Sequence, residues 1–323
     1  MNLPAKPPAV REHDPNNSAA PESDFICRAC THTKAVGTWR VAEQMFRLRD
    51  EFTYGECEVC GSLSIAEIPA DLSKYYPSNY YAHSGSASPR APTWRDIILD
   101  TSYPSILSGW RMYAPDKMAR ILDVGTGNGL CLQHLWKEGY QHLCGVDPHM
   151  PAQAVQSHPY PMIRGAIEDC DGDWDVIMYH HVLEHVMDPR QEIRAAGARL
   201  KPGGRLIVRV PVADSWAREH FGQNWLGWDP PRHLCVPSRA AIGEIATAAG
   251  MKVTSIVDDS RAFQYWASRL YARGVSFVLP PFAYYRRQKM VLSAPLYLAA
   301  RAWARWLNFR RRGDQAIFII EKS

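Results

Sequence analysis

Seven residues, Asp123-Val-Gly125-Thr126-Gly127-Asn128-Gly129, restrict the fold of this chain more than any other stretch. They follow the short apolar run Ile121-Leu122 and lead into Leu130-Cys-Leu-Gln-His-Leu135, whose apolar spacing suits a helix. A strand that closes in a glycine-rich turn before a helix lets a ligand approach the backbone, because glycine has no Cβ and tolerates positive φ. The pattern predicts an adenosyl-like ligand against Asp123, Gly125, Thr126, Gly127, Asn128 and Gly129.

A second contact follows. Gln141-His-Leu-Cys-Gly-Val146 reads as the next strand, and Asp147, with Pro148 after it, stands at its carboxyl end, 22 residues past Gly125. A carboxylate about 20 residues on is placed to accept the hydroxyls of a ribose. Asp123, just ahead of the glycines, repels a diphosphate and attracts a cation, and S-adenosylmethionine carries an ammonium and a sulfonium. On this Asp-x-Gly-x-Gly-x-Gly motif the chain resembles the seven-stranded, Rossmann-like (class I) methyltransferases.

The resemblance runs to about His233. Gly165-Ala166-Ile167-Glu168-Asp169 is similar to the adenine-contacting loop of that family, and Asp173-Trp-Asp-Val-Ile-Met178 to its fourth strand, with His180 just beyond. Leu200-Lys-Pro-Gly-Gly204 matches the turn that enters its fifth strand. Trp228-Asp-Pro-Pro-Arg-His233-Leu resembles a Pro-Arg-His segment of one branch. The implied fold is α/β: a seven-stranded Rossmann-like sheet with a small N-terminal zinc ribbon and a helical insertion before the last strand.

The ribbon is read from two Cys-x-x-Cys knuckles, Cys27/Cys30 and Cys57/Cys60, separated by 26 residues. Two such turns complete a tetrahedral zinc site, and four thiolates leave it no open position, so its role is structural. Redox dithiols or buried free thiols are the alternatives. Cys131, Cys144, Cys170 and Cys235 read as small core residues. After the ribbon, Leu72 to Ser84 carries four tyrosines (75, 76, 80 and 81) that either line an acceptor site or glue ribbon to core. Ribbon, Tyr-rich strip and methyltransferase core together resemble bacterial enzymes that methylate sugars of antibiotics and surface polysaccharides. The C-methyltransferases of that group have a further carboxyl-terminal domain that this length does not accommodate, so oxygen is the expected acceptor atom.

Methyl transfer to oxygen needs a base near neutral pKa or a metal that acidifies the hydroxyl. His181-Val-Leu-Glu184-His185 has the H-x-x-E-H form of inverted zinc proteases, but it follows a cofactor strand rather than lying on a peptidase helix. It is more similar to the Glu-x-x-Glu-His of quinone-pathway O-methyltransferases, which implies a second, divalent metal at the active site, with His181 in place of the first Glu. His181 is the expected base, alone or with Glu184 and His185, and His233 is the second candidate. Helix-start or loop-pinning roles are the structural alternatives for Glu184, His185 and His233. As the base, His181 replaced by Ala would lower turnover by about 10² to 10⁴.

Between the sixth strand, about Lys252 to Val257, and the antiparallel seventh, Gln315 to Glu321, lies a basic aromatic segment. Residues 261–312 hold eleven Lys or Arg, no Asp or Glu and twelve aromatics, and read as two helices broken near Pro280-Pro281. Such a segment lids an acceptor pocket, rests on a membrane surface, contacts an anionic acceptor such as a phosphate-linked sugar, or is a solvated face over packed rings. Nucleic acid is the less favoured partner.

The 323 residues predict a tail at 1–24 too poor in apolar residues to order, the ribbon and Tyr strip at 25–85, a linker helix within 86–118 and the methyltransferase domain at 119–323. No apolar run reaches the roughly 18 residues of a membrane span, and Met1 to Pro8 lacks a secretory core, which predicts a cytoplasmic enzyme, at most peripheral at the inner membrane face. The expected activity is O-methylation of a small molecule, sugar or lipid-linked glycan. The alternatives are an rRNA or tRNA methyltransferase whose ribbon presents RNA and a non-catalytic cofactor-binding scaffold. Against RNA stand the weakly basic Cys27 to Cys60 span and the lack of an Asn-Pro-Pro-Tyr-type motif.

Overall fold

The computed structural model describes residues 25–77, 116–150, 155, 158–276 and 294–322. The tail expected at 1–24, the linker helix around Trp94 to Met112, Tyr80, Tyr81 and the break at Pro280-Pro281 lie outside them.

Two sheets organise the chain. The first begins with β1 (Ala35–Ala42), β2 (Glu51–Cys57) and β3 (Leu63–Ile65), paired antiparallel in that order. The second, in spatial order, is β10 (Met251–Asp258), β11 (Gln315–Lys322), β8 (Leu200–Pro211), β7 (Trp174–His180), β4 (Ile121–Val124), β5 (Leu143–Val146) and β6 (Met162–Ile163). Strands β4 to β8 run parallel, while β11 pairs antiparallel with both β8 and β10. This is the seven-stranded mixed sheet expected of the motif order. Chain direction across the sheet reverses between β4 and β7. In open α/β sheets the crevice at that reversal, outside the carboxyl ends of the strands, is where ligands bind.

The buried strands read as apolar runs because both faces are covered. Leu122, Val146, Ile177, Tyr179, Leu206, Val208, Phe318 and Ile320 form one core with α2 (Pro189–Arg199) and α4 (Arg239–Ala248), and Ile121, Met178, Ile207 and Ile319 form another with α1 (Leu130–Lys137). Asp188 and Ser238 cap α2 and α4 by accepting backbone N–H bonds, which satisfies donors a helix start leaves unpaired. Cys131, Cys144, Cys170 and Cys235 are all buried, as read from the sequence.

The first sheet does not end with the ribbon. Its fourth strand is β9 (Cys235–Val236), from the far side of the α/β core, with Ser64 opposite Cys235 and Leu63 opposite Val236. Val41, Tyr54, Leu63 and Ile65 of the ribbon share a core with Ala213, Ala217 of α3 (Trp216–Phe221), Trp225, Trp228, Leu234 and Val236. The ribbon and the α/β core thus share one sheet and one packed cluster. Tyr75 belongs to this packing: its ring meets Phe52 edge-on and its hydroxyl donates to Asp50. The segment between β10 and β11 supplies two helices, α5 (Ala262–Tyr271) and α6 (Ala294–Phe309), packed through Ala262 and Ala300.

Candidate active site

At the carboxyl edge of β4 the chain turns through Gly125, whose φ is +71° and whose added Cβ would overlap the Val182 side chain. Only glycine meets both conditions. Asp147, just past β5, faces the same turn: one carboxylate oxygen accepts the Gly127 N–H at 2.9 Å, the other the His149 N–H at 2.7 Å. Asp123 is 2% exposed. Burial, with the Asp147 charge adding to it, pushes its carboxyl up to about 7. Neither aspartate has an ion-pair partner among the described residues. A rise of that size disfavours the carboxylate by on the order of 4 kcal/mol. A cationic ligand would restore the charged form, so the turn fits S-adenosylmethionine better than it fits a diphosphate.

The other expected cofactor contacts lie on the same edge. Thr126 is buried, Asn128 half-buried and Pro148 exposed. In the loop after β6, Ala166 and Glu168 are exposed, whereas the Ile167 side chain is 1% exposed and packs into the main core. Only the backbone of Ile167 is left to meet a ligand. His180 ends β7, and burial, with the Arg209 and His181 charges, holds its imidazole well below the usual range.

The H-x-x-E-H segment leaves β7 through His181 in a left-handed conformation, φ +53°. His181 Nδ1 lies 3.0 Å from Glu184 Oε1, and its Nε2 lies 2.9 Å from Arg209 Nη1. A carboxylate only accepts and a guanidinium only donates, so Nδ1 carries the hydrogen and the Nε2 lone pair is taken. Both nitrogens of His181, the base expected from the sequence, therefore already have partners in this arrangement. Arg209 is held in turn by Asp259, at 2.6 Å. Arg209 was not singled out from the sequence, although an arginine inside the apolar run Leu206-Ile-Val-Arg-Val210 is the signal that could have found it.

His185 and His233 are held differently. His185 Nδ1 donates to the Arg232 carbonyl at 2.8 Å and His233 Nδ1 to the Gly227 carbonyl at 2.8 Å, which leaves each Nε2 as the lone-pair nitrogen. Their rings meet edge-on, centroids 4.7 Å apart. Burial, with His233 adding to it, lowers His185 to about 4. Burial would raise Glu184, but the His181 hydrogen bond and the surrounding imidazoles hold it down at about 2.

The frame of this cluster is ionic and reaches the ribbon. Arg232, 1% exposed, donates to Asp229 at 2.6 and 2.9 Å, to Glu43 of the ribbon at 2.9 Å and to the Tyr75 carbonyl at 3.0 Å. Tyr54 donates to the His233 carbonyl at 2.8 Å.

The two knuckles repeat one geometry. Thr31 N–H returns to Cys27 O and Gly61 N–H to Cys57 O, with φ +65° and +69° at Thr31 and Gly61. The sulfurs of Cys27 and Cys60 are 3.5 Å apart and those of Cys30 and Cys57 3.4 Å. Ligands at ~2.3 Å on one tetrahedral ion sit ~3.8 Å apart, so the cluster fits zinc with little adjustment.

Residues 95–256, half the chain, match a family model described as a methyltransferase domain. The chain is 29% identical over 132 residues to the tRNA U34 carboxymethyltransferase of Syntrophotalea carbinolica, covering 36% of this chain and 41% of that protein. It is also 29% identical over 150 residues to the ubiquinone biosynthesis O-methyltransferase of Maricaulis maris, covering 42% of this chain and 56% of the relative. The matches thus span about half the length of these relatives. A solved structure of a mycolic acid cyclopropane synthase complexed with SAH and CTAB is similar at 16% identity and a TM-score of 0.46, over 68% of this chain and 84% of that one. With the reversed sheet, the buried aspartate and the turn facing Asp147 in place, the family match completes the assignment: the chain belongs to the methyltransferase domain family.

Proposed function

We propose that this protein transfers a methyl group from S-adenosylmethionine to an oxygen of a small molecule, with a sugar or lipid-linked glycan intermediate as the favoured acceptor. The observation that carries the cofactor reading is Asp123, a buried carboxyl with no ion-pair partner among the described residues, at the head of a glycine turn locked to Asp147. Asp123 and Asp147 would hold the cofactor's charged and ribose groups, and the backbone from Gly125 to Gly129 its adenosyl portion. Bound there, the cofactor supplies the electrophilic methyl. The chain's own work is to position an acceptor and exclude water, where much of the rate of such a displacement lies. We assign the acceptor side to the seam beyond β7, with Glu184, His185 and His233. Residues 25–85 serve as the ribbon module, with structural zinc on Cys27, Cys30, Cys57 and Cys60, and 119–323 as the catalytic domain.

The outer face of α6 supports a lipid-linked acceptor. Ala300, Ala304 and Leu307 pack inward, while Leu298, Trp306 and Phe309, the last 83% exposed, follow a stripe on the opposite side bordered by Arg301 and Arg305. No acidic residue lies on this helix. Apolar side chains between arginines suit the surface of an anionic bilayer. No helix among the described residues is long and apolar enough to cross a membrane.

Because one relative is named a tRNA carboxymethyltransferase, RNA is the second reading. Labelled methyl transfer to lysate fractions separated into RNA, lipid-linked glycans and small molecules tests both. Label in glycan or small-molecule fractions supports the first reading, label confined to RNA replaces it, and no label in any fraction leaves a cofactor-binding scaffold.

A further inference from the structure

Within the seam, the side chain with an unmet bonding need is Glu184. Its side chain is fully buried, Oε1 is engaged by His181, and Oε2 has no hydrogen-bond partner. A solvent-free carboxylate oxygen without a partner is costly, and such groups call for an ion or a bound water. The Glu184 carboxylate and the ring nitrogens of His185 and His233 lie within 4.8 Å of one another. Both imidazoles give their Nδ1 hydrogen to a backbone carbonyl, the arrangement that orients a metal-binding histidine and frees Nε2.

The frame is fixed before any ligand arrives. Leu234 N–H and Cys235 N–H both donate to the Glu184 carbonyl, at 2.7 and 3.2 Å, and Tyr54 fixes the carbonyl of His233. The neighbouring carboxylate, Asp229, is committed to Arg232 and lies 3.8 Å from His233 Nε2. The three-residue set implied by resemblance, His181 with Glu184 and His185, does not fit, because a guanidinium already occupies His181 Nε2.

We propose that Glu184 Oε2, His185 Nε2 and His233 Nε2 bind a first-row divalent cation of the Zn²⁺ or Co²⁺ kind, with His233 in the place the sequence resemblance gives to His181. Two imidazoles and one carboxylate are a common donor set for such ions. Ligand atoms on one ion at about 2.1 Å stand roughly 3.4 Å apart, so small side-chain rotations close the site. Three protein ligands leave a position open to a hydroxyl or water oxygen. The site does not depend on the methyl-transfer reading, and its test needs no acceptor.

The full chain, stripped of metal and reloaded with excess Zn²⁺, is expected to retain two equivalents by elemental analysis, one on the four cysteines and one here. Co²⁺ loading distinguishes them, since only the cysteine site gives thiolate-to-metal charge-transfer bands. His233→Ala and the isosteric Glu184→Gln each lose the second equivalent, with affinity at least ~10-fold weaker in competition with a chromophoric chelator, while keeping the first. His181→Gln keeps both. One equivalent in the unaltered chain, two in folded Glu184→Gln, or loss in His181→Gln without loss in His233→Ala overturns the proposal.

Discussion

The cofactor turn and the seam beyond β7 lie at the same edge of one sheet but are built in opposite ways. From Asp123 to Asp147 the turn is closed within one strand-turn-helix-strand stretch, Gly127 donating to Asp147 20 positions on, and the chemistry is a buried carboxyl that a cation would ionise. The seam draws on Glu43, Tyr54, Tyr75, His181, Glu184, Arg209, Asp229 and Arg232, and apart from Glu184 Oε2 its charges are already paired within the protein. A local site can remain unsatisfied because the strand and helix around it hold it open. A composite site must first hold itself together.

Substitutions test that difference. The largest effect is expected at Arg232: Arg232→Met leaves Asp229 and Glu43 as two buried carboxylates without a cation, and should lower stability by about 3–5 kcal/mol in denaturant unfolding. A loss under 1 kcal/mol would mean that the seam does not depend on its ion pairs. Gly125→Ala should leave the fold near its original stability but weaken S-adenosylhomocysteine binding at least ~10-fold by calorimetry, because strain and the Val182 overlap both fall on the turn.

Asp123→Asn should weaken S-adenosylmethionine by roughly 10-fold or more. It should also abolish a pH dependence present in the unaltered protein. In the free protein Asp123 is protonated below about 7, and a cationic ligand favours its ionised form. Binding therefore releases a proton, and affinity should rise with pH up to about 7 and level off above it. Calorimetry in buffers of different ionisation heat reads the proton directly, and a flat profile from pH 5.5 to 8 breaks the cation reading. The smallest effect is reserved for His181→Ala: with both nitrogens engaged, turnover should fall by less than ~10-fold, and a loss of 10² to 10⁴ would restore it as the base.

The same contrast explains what could be read from the chain. The resemblance carried by the ordered motifs implied the seven-stranded sheet and its antiparallel last strand, because each motif is a contiguous run. The knuckles were equally legible, since two residues of spacing suffice to bring two sulfurs together. Arg209 facing His181, Arg232 facing Glu43 and the β3–β9 pairing could not be read, for each joins residues far apart in sequence whose proximity only packing decides. His181 shows the consequence most plainly: its motif indicated a reactive imidazole, but a partner 28 residues away had taken the lone pair.

Strand β9 also limits how this architecture can be rearranged. A chain begun at residue 119 would strip that strand of its hydrogen-bonding neighbour and uncover Trp225 and Trp228, inviting self-association. Transplanting only the first 77 residues onto a foreign catalytic body would carry three rungs of a four-rung ladder and leave the last behind. Any recombination that trades such modules must move both pieces together.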